Sequence, residues 1–279
     1  MREIDVRLVE ETVYALFLSA CCEIGEDVLE RLQAGLEAEE SPFGREVLRQ
    51  LIENDRIAAQ RKMPICQDTG MAVVFMDVGQ DVHFTGGDVN CAVEEGVRRA
   101  YRDGCFRASV LSPLERVNTK DNTPAVLHVR IVPGDNVTLT AAPKGFGSEN
   151  MSRLFMLTPS QGVDGVKNAV VEAVRLAGGN PCPPVVVGVG IGGTAELAML
   201  LAKRSLTRDV GKPSGDPVLA DMERELLARI NDLGIGPQGL GGRITALAVH
   251  IEQTPTHIAG LPVAVNMQCH AARHKTAVL

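Results

Sequence analysis

Between Glu3 and about Arg61 apolar residues recur three and four apart: Val6, Val9, Val13, Leu16 and Phe17, then Leu29, Leu32, Leu48, Leu51 and Ile52. That spacing predicts helices, interrupted at Gly25 and at Ser41-Pro42, and so a helical cap over about residues 1–62. The pattern then changes. MAVVFMDV after Gly70 reads as a strand, and Thr85-Gly86-Gly87-Asp88 is placed to cap a helix running through Val93, Val97 and Tyr101 to Gly104. AVLHVRIV and NVTLTAAP alternate with period two on either side of Pro133-Gly134-Asp135, which predicts a hairpin.

In the second half, Val166, Ala169, Val170, Ala173, Val174 and Ala177 form one helical stripe that stops at Gly178-Gly179. PVVVGVGIG is apolar at successive positions, the mark of a strand buried on both faces. Helices are expected at Thr194–Leu206 and Pro217–Leu233, and strands at Ile244–Glu252 and Leu261–Met267. Residues 207–217, rich in Gly, Pro and Ser, read as a surface loop. The predicted class is α/β with mixed α+β character: an N-terminal helical cap followed by a mixed sheet flanked by helices, one domain over 1–279.

Composition narrows the function classes. The 279 residues are 45% hydrophobic and 23% charged, which excludes both disorder and a membrane bundle. A net charge of -7 without a basic stripe argues against nucleic acid as a partner. Without Trp, and with 3% aromatic residues, the chain has no stacking platform and must build its core from aliphatic side chains. No apolar run of about 18 residues is present, and the N-terminus is acidic rather than signal-like, so a cytoplasmic protein without a membrane partner is expected. In that setting the 7 Cys are thiols, free to act as ligands or nucleophiles.

Two groups of residues are candidates for chemistry. Gly188-Val-Gly190-Ile-Gly192-Gly193 matches the dinucleotide fingerprint between a strand and a helix, which keeps a nucleotide-binding oxidoreductase open as a reading from a different class. Against it, no second strand-helix-strand unit of matching order is evident downstream. The other group is Cys66, Cys182 and Cys269, each in a polar or turn-forming context, whereas Cys21, Cys22, Cys91 and Cys105 fall on helices or at a helix end. Separations of 116 and 87 residues match no compact zinc pattern. Three thiolates from distant loops suit an iron-sulfur cluster with one iron free of cysteine, and three unrelated thiols remain the alternative.

Ile65 to Gly70 (ICQDTG), Asn118 to Pro124 (NTKDNTP), Lys144 to Asn150 (KGFGSEN), Cys182-Pro183-Pro184 and the terminal strand to Cys269 together resemble the α subunit of class I, iron-sulfur-dependent fumarate hydratase. The chain is similar also to L-tartrate dehydratase α subunits, and the likeness spans almost its whole length. Single-chain members read Lys-Gly-Gly-Gly-Ser where Phe146 here replaces the middle Gly. The resemblance implies a [4Fe-4S] cluster held by Cys66, Cys182 and Cys269, and a C4 dicarboxylate facing Gln67, Asp68, Arg107, Gly147 and His257. It implies hydration of fumarate to L-malate, a tricarboxylic acid cycle reaction, with Asp68 assisting a catalytic base from the other domain. That C-terminal domain is expected on a separate β chain, in an assembly of two α and two β chains. The side chains agree in kind: Arg107 offers a bidentate fork to a carboxylate and His257 a ring N–H donor.

Overall fold

The computed structural model describes all residues, Met1–Leu279. In chain order the elements are β1 (Arg2–Asp5), α1 (Val6–Cys22), α2 (Glu26–Ala38), α3 (Pro42–Arg61), β2 (Met71–Gly79), β3 (Val82–Thr85), α4 (Val89–Asp103), β4 (Val126–Val132) and β5 (Val137–Lys144). They continue with α5 (Phe146–Glu149), β6 (Arg153–Leu157), α6 (Gly162–Ala177), β7 (Val185–Gly193), α7 (Ala195–Ser205), α8 (Pro217–Asn231), β8 (Ala246–Thr256), β9 (Leu261–Gln268) and β10 (Lys275–Val278). The mixed α/β class is as expected. The chain divides into two compact units: Met1–Ile24, Asp55–Phe146 and Arg273–Leu279 form the first, Gly25–Asn54 and Gly147–Ala272 the second. The residues read as one helical cap are therefore shared between both units.

In the first unit, Asp5 ends β1 and caps α1, its carboxylate accepting the Arg7 N–H at 2.8 Å. Arg2–Asp5 pairs in parallel with β3 instead of beginning the helix, because that cap fixes the helix start at Val6. At α4 the expected cap is present, with Asp88 accepting from Asn90 and Cys91. Val9, Val13 and Phe17 of α1 and Val93, Val97 and Tyr101 of α4 pack with Val74, Met76 and Leu139 into one buried cluster. At about 1.5–3 kcal/mol for each large apolar side chain buried, this contact holds the helices to the sheet.

That sheet has the order β10-β5-β2-β4, which corrects the hairpin expectation. β4 runs parallel to β2 and β5 antiparallel to it, so β2 lies between the two strands that the Pro133-Gly134-Asp135 turn connects. The reason lies in burial. β2 is apolar from Met71 to Met76, with Ala72 to Met76 all buried, and needs a partner on each edge, while β4 leaves Val129 and Ile131 exposed and suits an edge. The turn accordingly arches over the end of β2, where Gly79 donates to the Asn136 carbonyl and Gln80 to that of Val132, both at 2.8 Å.

The second unit is built on the sheet β6-β9-β7-β8. One face carries the predicted α6 stripe, all six residues buried with Leu226 and Ile230 of α8 and Val187, Val189, Val265 and Met267 of the sheet. On the other face lies α7, against Ala264. β7 and β8 are parallel and joined through α7 and α8, a crossover that the sequence pattern did not disclose. Gly188 and Gly190 lie inside β7, where a Cβ would stand 2.2 Å from the Ala202 carbonyl oxygen and 2.0 Å from that of Ala198. These glycines admit α7 onto the strand rather than forming the phosphate turn of a dinucleotide site, and that removes the basis of the oxidoreductase reading. No helix is long and apolar enough to cross a membrane.

Candidate functional site

In the first unit, residues 65–70 form a loop held from below by its backbone. Ile65 donates to the Cys21 carbonyl at 3.0 Å, and the buried Tyr101 hydroxyl is 2.9 Å from both the Thr69 and Gly70 carbonyl oxygens. Burial, above all, pushes the Tyr101 phenol well above its ordinary range and keeps it a neutral donor. Gly70 has φ +83°, and a Cβ there would lie 2.7 Å from the Lys144 backbone nitrogen, so this turn tolerates only glycine.

Pinned in this way, the loop orients its side chains. The Cys66 sulfur accepts the Asp68 N–H at 3.4 Å. Asp68 has both carboxylate oxygens on backbone amides, Oδ1 on Gly70 at 3.0 Å and Oδ2 on Phe146 at 2.9 Å. Each oxygen retains acceptor capacity for another partner. The Thr69 hydroxyl donates to the Arg107 carbonyl at 3.1 Å and so ties the Arg107 segment to the loop. Gln67 and the Arg107 side chain are exposed. The Arg107 backbone thus lies beside the loop that carries Cys66, Gln67 and Asp68. Phe146 is not in the left-handed region and its side chain is 45% exposed, so it replaces glycine at no backbone cost.

The second unit gathers Gly147, Cys182 and Cys269 at one end of its sheet. Cys182 precedes β7 and Cys269 follows β9; Val186 pairs with Gln268, and the His270 N–H reaches the Cys182 carbonyl at 3.4 Å. A Cβ on Gly147 would stand 3.4 Å from the Asn180 carbonyl oxygen, which places this glycine at the same loop. The Cys182 loop is braced by Gln238, whose backbone and side-chain nitrogens donate to Pro183 O at 2.7 and 2.9 Å. His257 is elsewhere, in the turn after β8, exposed, its Nδ1 accepting from Ala259 at 3.1 Å. The eight residues of β9 separate it from Cys269, roughly 26 Å at about 3.3 Å per residue.

The seven thiols sort by environment. All are free. Burial pushes Cys21 up to about 12 and raises Cys22 as well, which suits both to packing. Cys66 and Cys269 are part-exposed and Cys182 exposed, each in a loop at the end of an element. Each is an accessible soft sulfur donor in a polar loop, the donor chemistry that a thiolate-ligated iron-sulfur cluster takes, while no three His, Cys, Asp or Glu side chains are grouped in the structure to hold a metal ion.

Sequence reasoning did not single out Tyr101 or Asn122, and noted Arg273 only as a neighbour of Cys269. Their roles rest on hydrogen bonds to residues 31 to 205 positions away, which no local pattern encodes.

The family model for fumarate hydratase (Fumerase) matches residues 10–278, and the chain belongs to that family, a family of hydro-lyases. It is 42% identical over 273 residues to a Methanocaldococcus jannaschii protein named provisionally as L(+)-tartrate dehydratase subunit alpha, covering 95% of each chain. It is 32% identical over 255 residues to the L(+)-tartrate dehydratase subunit alpha of Escherichia coli (strain K12), covering 90% of this chain and 84% of that one. The Shigella boydii subunit of the same name gives the same identity and coverage.

Proposed function

We propose that this chain is the α subunit of an iron-sulfur hydro-lyase that reversibly hydrates fumarate to L-malate. L(+)-Tartrate dehydration is the second reading, favoured by the names of the relatives. The observation that carries the proposal is the set of three accessible loop thiols in a fumarate hydratase family chain, with Asp68 fixed two residues from the first of them. Cys66, Cys182 and Cys269 would hold a [4Fe-4S] cluster, which when bound supplies a Lewis acid for the substrate hydroxyl.

The chain's own residues do the rest. Arg107 presents an exposed guanidinium to a substrate carboxylate, Gly147 leaves room for substrate beside the Cys182 loop, and Gln67 offers an amide next to Cys66. Asp68, both oxygens already on amides, holds a fixed acceptor that would assist the catalytic base supplied by the other domain. His257 is left out of this set, because a full strand separates it from Cys269. The catalytic base and the remaining carboxylate contacts would come from a β chain carrying the C-terminal domain, with this chain as one family domain. Relatives named as α subunits support that division. We place the assembly, two α with two β, in the cytoplasm.

The test is anaerobic reconstitution of the holo-chain with its β partner, followed by turnover of fumarate and of L(+)-tartrate. Fumarate hydration that requires both chains is the expected result. Preference for tartrate selects the second reading, and substantial activity of the single chain refutes the division.

A further inference from the structure

The motif Asn118–Pro124 takes no part in the chemistry above, yet its side chains are committed to one task. Asn118 Nδ2 donates to the Ala108 carbonyl at 2.9 Å, and the Thr119 N–H reaches Val110 O at 3.0 Å. Asp121 accepts from Arg98 at 2.9 Å and from the Thr123 hydroxyl at 2.8 Å, which anchors the motif to α4. Asn122 lies at the centre, fully buried, with φ +61°. Its Nδ2 donates to the Gly70 carbonyl at 3.1 Å and its Oδ1 accepts the Ser109 N–H at 2.8 Å.

We propose that Asn122 is a positioning residue that fixes Arg107 relative to Asp68, and thereby the selectivity for a substrate with two carboxylates. One amide spans from the carbonyl that ends the Asp68 loop to the amide two residues beyond Arg107. A carboxamide donates and accepts through one planar group at any ordinary pH, and of Asn and Gln it is Asn that tolerates a left-handed backbone. The Arg107 guanidinium has no ion-pair partner in the structure, so nothing at its tip fixes its place. Its reach is therefore set at the backbone, by Asn122 and by the Thr69 hydroxyl on the Arg107 carbonyl. The inference rests on the reading of Arg107 as a carboxylate-binding residue.

The probe is succinate, an unreactive C4 dicarboxylate, titrated calorimetrically into the reconstituted complex, so that the outcome does not depend on turnover. Asn122→Asp keeps the acceptor for Ser109 but turns a second acceptor toward the Gly70 carbonyl. It should weaken succinate binding about tenfold, with iron and sulfide per chain unchanged. In an Arg107→Ala background the same substitution should have no further effect, because its action runs through Arg107. Asn122→Gly, which keeps the backbone conformation and removes both bonds, should give the same pattern and faster amide exchange at Ser109. Unchanged binding, or losses that add in the double variant, would overturn the proposal. A complex that binds succinate through Arg107 but hydrates nothing would refute the proposed reaction and leave this placement standing. Absence of succinate binding in the unaltered complex would overturn both.

Discussion

The Arg273 guanidinium donates to the backbone carbonyl of Asp68 at 2.6 Å, joining two residues 205 positions apart inside the first unit. Arg273 is 2% exposed, and a buried cation on a carbonyl oxygen is a strong, directional strut. It acts on the peptide that presents Asp68, leaving the carboxylate to its two amide donors. Replacing it by Lys keeps the charge and loses the planar fork. Arg273→Lys should cost about 1–2 kcal/mol in urea unfolding, together with lost activity. An unchanged midpoint would show that the strut is dispensable.

Cys66→Ser, Cys182→Ser and Cys269→Ser should each abolish or deplete cluster iron, while Cys91→Ser and Cys105→Ser should leave it intact. Anaerobic iron and sulfide analysis reads this directly. Full cluster content in Cys182→Ser would remove that residue from the ligand set.

Arg107→Lys should raise the substrate KM and lower kcat/KM by an amount equivalent to about 1–3 kcal/mol, because a bidentate contact becomes a single one. Steady-state kinetics decide it. Wild-type values would make Arg107 an ordinary solvated side chain.

Acid should loosen the Asn118–Pro124 segment at a defined pH. Burial opposes the charge on Asp121, but hydrogen bonds from Arg98 and from the Thr123 amide and hydroxyl prevail and lower its carboxyl from 3.8 to about 2. A group with a depressed folded value contributes stability above its unfolded value and loses it as the pH falls through the folded one. The contribution, about 1–2 kcal/mol after allowing for partial exposure, should therefore be complete above about pH 4 and vanish toward pH 2. Comparing urea midpoints of the native chain and Asp121→Asn across that range checks it. The difference between them should shrink on acidification, and a constant gap would exclude this origin.

Much of the architecture was legible because it is written in local periodicity. The α6 stripe from Val166 to Ala177 and the continuous apolar run of β7 each announce their burial, and the structure places them as read. β10 was missed because four residues after a basic stretch carry no period, and they become a strand only by pairing with β5. The apparent hairpin at Pro133-Gly134-Asp135 shows the same limit from the other side: turn chemistry fixes a reversal of direction, not the identity of the neighbour. At the candidate site, Cys66, Cys182 and Cys269 stood out by their polar surroundings. Asn122, Tyr101 and Arg273 did not, since each acts through a bond to a distant carbonyl.

The insertion of β2 between β4 and β5 also bears on synthesis. On the ribosome the central, most apolar strand of the first unit emerges long before either neighbour, and β4 is complete only at Val132 and β5 at Lys144. Until then its two edges are open to any extended segment, including β2 of another nascent chain. The covering helix α1 precedes it and α4 follows soon after, so a hydrophobic face is shielded early while the hydrogen-bonding edges wait. Aggregation during expression should therefore centre on residues 71–79, and fragments ending between β2 and β5 should be held by chaperones far more than fragments ending after Lys144.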